Sequence, residues 1–440
     1  MAILLALILM ITLSGCETAP TDITDLLLPP KLTGDQLAIE KALEANIGTK
    51  YLLKYPLTGK YRTAFILHDI DGDGVDEALA LYSLDNETAG THIMVLKEVS
   101  GKWQKQCDIS GDGNEVNRIE FGDYDGSGRQ YLTVGWTLFN STDLGLSVYS
   151  IQNKTLKNLY KDSFTDMAVL DMDGNGTDDI LLLKLDTGSK PSLAQARLIS
   201  YDEGRLKQIS SAPLDSTVSS YAGVYTTKLA NGKSGVYIDG YKGAHSMATE
   251  LVIWKNGGLA TPFFNAKSGT ASSTFRDVPI DCTDIDGDSQ IEIPMPVELP
   301  GYESTAYANK LWLVRWCIYN AAGKITPKLS TIINLTQGYY FQIPKSWEDN
   351  VTVQSQKNGT IWYFRRYQKS VPLGGALLFE VDTYSQAEWK ALSDKSGLIR
   401  ALEDNESVYA VRLGNVNTRD DGLHLPESEV LQRLRLYTPQ

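Results

Sequence analysis

The chain runs to 440 residues, with 54 Asp and Glu against 41 Lys and Arg and a formal net charge of −13. That balance excludes a nucleic-acid binder, whose affinity for phosphate rests on clustered Lys and Arg. Of the four cysteines, one sits in the leader described next. The other three, Cys107, Cys282 and Cys317, cannot all pair, so no disulfide framework supports the fold and a metal is the staple to look for.

Residues 2–13 read AILLALILMITL, an uncharged apolar run. A spanning helix needs about 20 such residues, so this run has the length of a signal-peptide core instead. It ends in Leu13-Ser14-Gly15-Cys16, which resembles the bacterial lipobox, although no Lys or Arg precedes it. The resemblance implies that residues 1–16 are a lipoprotein signal, that the Cys16 thiol is the lipid attachment, and that the protein is extracytoplasmic and anchored to the membrane. The Thr-, Pro- and Asp-containing residues 17–32 then read as a flexible tether. Roughly 420 residues remain, room for two or three domains. Residues 33–47 read as an amphipathic helix with Thr33 as N-cap and Leu37, Ile39, Ala42 and Leu43 on its apolar side. A short strand follows, making residues 33–60 an N-terminal unit placed against a sheet face or a closing seam.

Four segments then share one pattern: FILHDIDGDGVDEALALY at 65–82, IEFGDYDGSGRQYLTVGW at 119–136, MAVLDMDGNGTDDILLLKL at 167–185 and IDCTDIDGDSQIEIPMPV at 280–297. Each places a strand-like run, an Asp- and Gly-rich loop, and a second strand-like run. The leading aspartates, Asp69, Asp123, Asp171 and Asp284, recur at roughly 50 residues, with about twice that interval before the last, a period typical of propeller blades or solenoids. A fifth unit fits the gap: residues 224–241 carry two strand-like runs around Asn231-Gly232-Lys233, without the acids. Further short β-branched or aromatic runs follow each loop, so a unit reads as a four-stranded sheet. The expected fold is therefore mainly β: a β-propeller over residues 61–335 of about five four-stranded blades, with six or seven still open, followed by an α+β domain.

The loops have the chemistry of a calcium site. Loop one offers acids at positions 1, 3, 5 and 9 (Asp69, Asp71, Asp73 and Glu77), with Val75 at position 7 contributing a backbone carbonyl. Loop three offers Asp171, Asp173, Asn175, Thr177 and Asp179, and loop four offers Asp284, Asp286, Asp288, Gln290 and Glu292. Loop two keeps Asp123, Asp125 and Ser127 but has Tyr131 at position 9, so it is the weaker site. Converging carboxylates repel unless a cation neutralises them, and hard oxygen donors at flexible distances suit calcium. These are not EF-hands: their twelfth positions are Ala80, Leu182 and Met295, and their flanks read as strands. With these loops on strand flanks, residues 61–335 resemble the FG-GAP or VCBS repeats of integrin-α-like propellers, which implies a calcium loop between the first two strands of a blade.

From residue 336 onward the pattern changes. Strand-like runs are followed by SQAEWKALSD, a helix with Ser385 as N-cap, then another strand and a closing helix PESEVLQRLRLY with Pro426 at its first turn. This α+β unit, residues 336–440, loosely resembles the PsbP-like sandwiches of other bacterial lipoproteins.

Motifs for nucleophilic or zinc catalysis are absent. His68, next to Asp69, reads as packing beside the loop, and His245 sits in a polar loop without a partner signature. Trp103, Trp136, Trp254, Trp312 and Trp316 read as core. The expectation is a calcium-stabilised surface propeller that is not an enzyme and that engages an extracellular protein or glycan, with the membrane as its other partner through the lipid anchor. The alternative is a hydrolase or lyase acting on extracellular polysaccharide. A cluster of acids and aromatics at one mouth of the propeller, separate from the calcium loops, would favour the alternative.

Overall fold

A computed structural model describes residues 34–438, apart from residues 49, 86, 88, 89, 153, 190, 372 and 415–421. The leader, Cys16, the tether and the Thr33 cap lie outside the described residues. Helix α1, Asp35–Ile47, opens the described chain and ends on Gly48 in the left-handed region. Among the described residues no helix is long and apolar enough to cross a membrane.

The rest is mainly β, in successive antiparallel sheets. Sheet one holds β1 (Tyr51–Leu53), β2 (Phe65–His68), β3 (Glu77–Leu84), β4 (His92–Val99) and β5 (Lys102–Ser110), with β1 and β2 end to end along one edge of β3. Sheet two is β6 (Glu115–Gly122), β7 (Tyr131–Thr137), β8 (Leu144–Gln152) and β9 (Thr155–Phe164). Sheet three is β10 (Asp166–Leu170), β11 (Asp179–Asp186), β12 (Leu193–Asp202) and β13 (Arg205–Pro213). Sheet four is β14 (Ser220–Lys228), β15 (Ser234–Tyr241), β16 (Met247–Lys255) and β17 (Gly258–Ala260), at the position of the unit without acids. Sheet five is β18 (Ile293–Glu298), β19 (Trp312–Tyr319), β20 (Ile325–Asn334) and β21 (Tyr339–Ile343), joined by the chain's last strand. Sheet six is β22 (Val351–Gln356), β23 (Ile361–Arg366), β24 (Leu377–Ser385), β25 (Ile399–Glu403) and β26 (Ser407–Leu413).

The near-continuous apolar runs follow from burial on both faces. In sheet one Leu79, Leu81, Ile93 and Val95 meet Val116, Ile119, Val134 and Trp136 of sheet two. Their strand neighbours Ala78, Ala80, Met94 and Leu96 point the other way, onto Ile39 and Leu43 of α1. The period of two thus sorts each strand between two cores, and each fully buried Leu, Ile or Val is worth about 1.5–3 kcal/mol. Separate cores likewise join sheets two and three, three and four, four and five, and five and six. Among the described residues, the core on the face of sheet one turned away from sheet two is completed by α1.

The tryptophans expected in the core are there. Trp136 and Trp316 are fully buried, and Trp103, Trp254 and Trp312 pack partly buried against the cores. The Trp136 ring lies so close to Gly111 that a Cβ there would fall 2.1 Å from it.

Three sequence expectations need correction. The boundary at 335/336 falls inside sheet five, because β21 is hydrogen-bonded to β20 through Asn334↔Tyr339 and its neighbours. The closing helix is shorter than read: Glu427–Arg433 alone is helical, and Leu434–Leu436 is drawn out as a strand on the free edge of β21. The run ahead of loop four forms only the isolated bridge Thr283↔Glu292. The helix after Ser385, Gln386–Ala391, does form, with Ser385 and Glu388 closing a reciprocal capping box.

Candidate functional site

Each Asp-rich loop is first folded by its own leading aspartate. Asp69 Oδ1 accepts the N–H groups of Gly72 at 2.8 Å and Asp73 at 3.2 Å, while Oδ2 accepts that of Gly74 at 2.9 Å. Asp171 does the same for Gly174, Asn175 and Gly176, and Asp284 for Gly287, Asp288 and Ser289. The curl puts Gly72 and Gly74 at φ 76° and 87°, a region costly for side chains bearing a Cβ. In loop four Ser289 accepts that strain at φ 71°.

The curl brings positions 1, 3 and 9 together. Carboxylate oxygens of Asp69, Asp71 and Glu77 lie within 4.8 Å of one another, as do those of Asp171, Asp173 and Asp179 and those of Asp284, Asp286 and Glu292. These acidic clusters, each with its ninth-position acid buried, have the donor set to hold a metal ion. Position 9 opens β3 in loop one and β11 in loop three, lies one residue ahead of β18 in loop four, and is buried: Glu77, Asp179 and Glu292 are 0–1% exposed. One oxygen of each accepts a loop N–H: Glu77 from Ile70, Asp179 from Met172, Glu292 from Ile285. The other oxygen is left for the cluster. Burial pushes Asp179 up to about 6 and Glu292 up to about 7.

Position 5 spends one oxygen locally. Asp73, Asn175 and Asp288 each turn an oxygen back onto the N–H of position 7, that is Val75, Thr177 and Gln290. The other oxygen of Asp73 and of Asp288 faces a lysine, and neither residue belongs to the three clusters. In loop two Asp123, Asp125 and Ser127 form no such cluster among the described residues. The Tyr131 hydroxyl takes the place of the ninth acid and donates to Asp125 at 2.8 Å, which accounts for the weakness expected of that loop.

Sequence reading missed two lysines. Lys97 Nζ lies on Asp71, on Asp73 at 2.7 Å and on Glu77 at 2.9 Å. Lys328 Nζ lies 2.9 Å from Asp286, 2.6 Å from Asp288 and 2.8 Å from Glu292. Among the described residues loop three has no such ammonium; the Ser200 hydroxyl donates to Asp179. A lysine within a buried strand run, as in HIMVLKEV, was the available signal.

It also missed a polar strip across the first strands of sheets two to four. Arg118 on β6 pairs with Asp166 on β10 at 3.1 Å and donates to the Met167 carbonyl at 2.8 Å. Glu120 stands two residues along β6 on the same face. Burial raises both carboxyls, although Arg118 draws each back. Tyr221 on β14 is raised by burial and then by Glu250 and Asp166. Arg118, Glu120, Asp166 and Tyr221 are all partly exposed. The charged pair inside EVNRIEFG, ahead of loop two, was the sequence signal. His68 adds no acid–base candidate here: its ring stacks on Phe121 at 3.8 Å and burial lowers its pKa.

No protein-family model and no curated protein sequence matches the chain. Among solved structures, it is similar to the Bacillus licheniformis rhamnogalacturonan lyase PL11, with 12% identity, 77% of this chain and 67% of that one covered, and a TM-score of 0.32. It is also similar to the exotype rhamnogalacturonan lyase YesX, with 12% identity, coverage of 84% and 87%, and a TM-score of 0.32. The Pseudomonas aeruginosa periplasmic gluconolactonase PpgL follows at 10% identity, coverage of 74% and 87%, and a TM-score of 0.32. The expectation that the chain is not an enzyme is withdrawn: the solved structures named here are two lyases and a lactonase, and at these TM-scores they assign no activity to this chain. Similarity at this level is one of sheet arrangement, and no residue is carried over from them.

Proposed function

We propose that this chain is an extracytoplasmic β-propeller protein, lipid-anchored through Cys16 and stabilised by calcium, that acts on extracellular polysaccharide as a hydrolase or lyase. The observation that carries the catalytic part is the Glu120–Arg118–Asp166 strip. It is the acid cluster, apart from the metal loops, that separates a polysaccharide-acting enzyme from a plain binding face. Glycoside cleavage needs one carboxyl kept protonated as general acid and a second kept charged as base or nucleophile. Glu120, raised by burial and not hydrogen-bonded to Arg118, suits the first role. Asp166, held by the Arg118 guanidinium at 3.1 Å, suits the second. In a lyase the same guanidinium would neutralise a uronate carboxylate while a carboxylate removes the adjacent proton. The acidic clusters hold the calcium in this reading, and they share no residue with the strip.

The full-length protein, incubated in calcium with a panel of neutral and uronate-containing polysaccharides, should release reducing ends or unsaturated uronides. Glu120→Gln and Asp166→Asn should each lower that rate by about 10²–10⁴-fold, the usual worth of a positioned acid or base. A panel left wholly uncleaved, or variants as fast as the parent, would overturn the assignment.

A further inference from the structure

We infer that Lys97 and Lys328 are built-in cations that neutralise loops one and four, leaving loop three as the loop that depends on a metal. The inference rests on the calcium reading above and concerns how the three loops divide.

The two lysines reach equivalent points from unrelated places. The register Ala78↔Leu96 sets Lys97, on β4, directly across from Glu77. Lys328 comes from β20, which pairs with β19 and not with β18, the strand that follows Glu292. Each ammonium nevertheless contacts positions 3, 5 and 9 of its loop. Arrival from two different strands at one spot marks that spot as the point where the loop requires positive charge. In loop three the register Ile180↔Ile199 puts Ser200 across from Asp179. A hydroxyl supplies a hydrogen bond but no charge. Among the described residues no Lys or Arg pairs with Asp171, Asp173 or Asp179, and these three acids converge uncompensated.

A calcium ion takes oxygen ligands at about 2.3–2.6 Å and needs the same oxygens that the ammonium engages. Metal can enter loop one or loop four only by displacing a lysine that is already paired with three carboxylates. Entry to loop three displaces nothing charged. The wild-type chain should therefore take up one calcium strongly, with affinity at the other two loops lowered by competition.

Calcium titration of the full-length protein by calorimetry tests this. Wild type should bind one ion, Lys97→Met and Lys328→Met two each, and the double variant three. Asp173→Asn should abolish the wild-type site and leave the double variant with two. A wild-type count of three that does not change on removing either lysine would overturn the inference and leave the calcium reading intact. No uptake by any variant would remove both. Because a lysine variant could fail to fold without its counter-ion, Lys97→Gln should also be melted in chelator and in calcium. Destabilisation in chelator that calcium reverses supports the exchange of lysine for metal, and equal destabilisation in both overturns it.

Discussion

Replacing Arg276 with Met should lower the stability of the fold by about 3–5 kcal/mol, the usual cost of leaving one partner of a buried ion pair behind. Arg276 and Asp239 are 1% and 0% exposed at their side chains, and Nη2 donates to Asp239 Oδ1 at 2.8 Å. The guanidinium also donates to the Ile280 carbonyl at 2.8 Å and to the Thr249 hydroxyl at 2.8 Å. Asp239 further accepts the Thr249 hydroxyl at 2.5 Å and the Cys282 N–H at 2.7 Å. The network ties β15 and β16 to the strandless segment that leads into loop four, a segment with few ladder hydrogen bonds of its own. Without Arg276 the Asp239 charge keeps only neutral donors in a site closed to water. Urea denaturation should show the midpoint of Arg276→Met falling well below that of wild type. Adding Asp239→Asn to that variant should recover part of the loss, since the stranded charge is then gone. A single-variant loss under about 1 kcal/mol would mean that the surroundings relax and admit water.

The sheets themselves were legible because their signal is local. The alternation in EALALY or DILLLKL reports two buried faces, and the leading Asp with its glycines reports a curl that closes within five residues. Positions 1, 3 and 9 of the loops could be read for the same reason. What escaped depends on register between strands or sheets. Lys97 is five residues past its strand's start and 20 from Glu77 in the chain, so only the pairing of β3 with β4 makes it a loop partner. Arg118 meets Asp166 only because β6 and β10 are neighbours in the stack. The break at 335/336 was read from a change in pattern, but an edge strand is completed by whatever segment pairs with it, here Leu434–Leu436 from the far end of the chain. Position 5 has a second, local use that its residue type also allows: one oxygen of Asp73 and of Asn175 bonds the backbone two residues on.

The second large effect is one of pH. Glu250 on β16 is 2% exposed; one oxygen accepts the Asp215 N–H at 2.8 Å, and Oε2 has no hydrogen-bond partner among the described residues. Burial pushes the carboxyl up to about 8, opposed first by the Asp215 N–H hydrogen bond; the Asp215 charge raises it further and Lys242 pulls it slightly back. Lys242 is itself engaged with Asp215 at 2.5 Å, and the Tyr221 hydroxyl beside this group also lacks a partner. In the unfolded chain a Glu titrates near about 4.3. Between these values the folded state keeps a proton that the unfolded state has released. The contribution of Glu250 to stability is therefore greatest below about pH 4.3, falls as the pH rises toward about 8, and is level above it. At about 1.4 kcal/mol for each tenfold change, the full span is on the order of 4–5 kcal/mol, an upper bound because a carboxylate that ionises draws in water. Asp179 and Glu292 are raised as well and add slopes of the same sign. The clean quantity is the difference between wild type and Glu250→Gln, which keeps an acceptor for the Asp215 N–H and cannot ionise. Urea midpoints at fixed calcium should make the variant the more stable protein above about pH 6, by a margin that grows to about pH 8 and then stops growing. Parallel midpoint curves for the two proteins from about pH 5 to 9 would show that Glu250 ionises as freely in the fold as outside it.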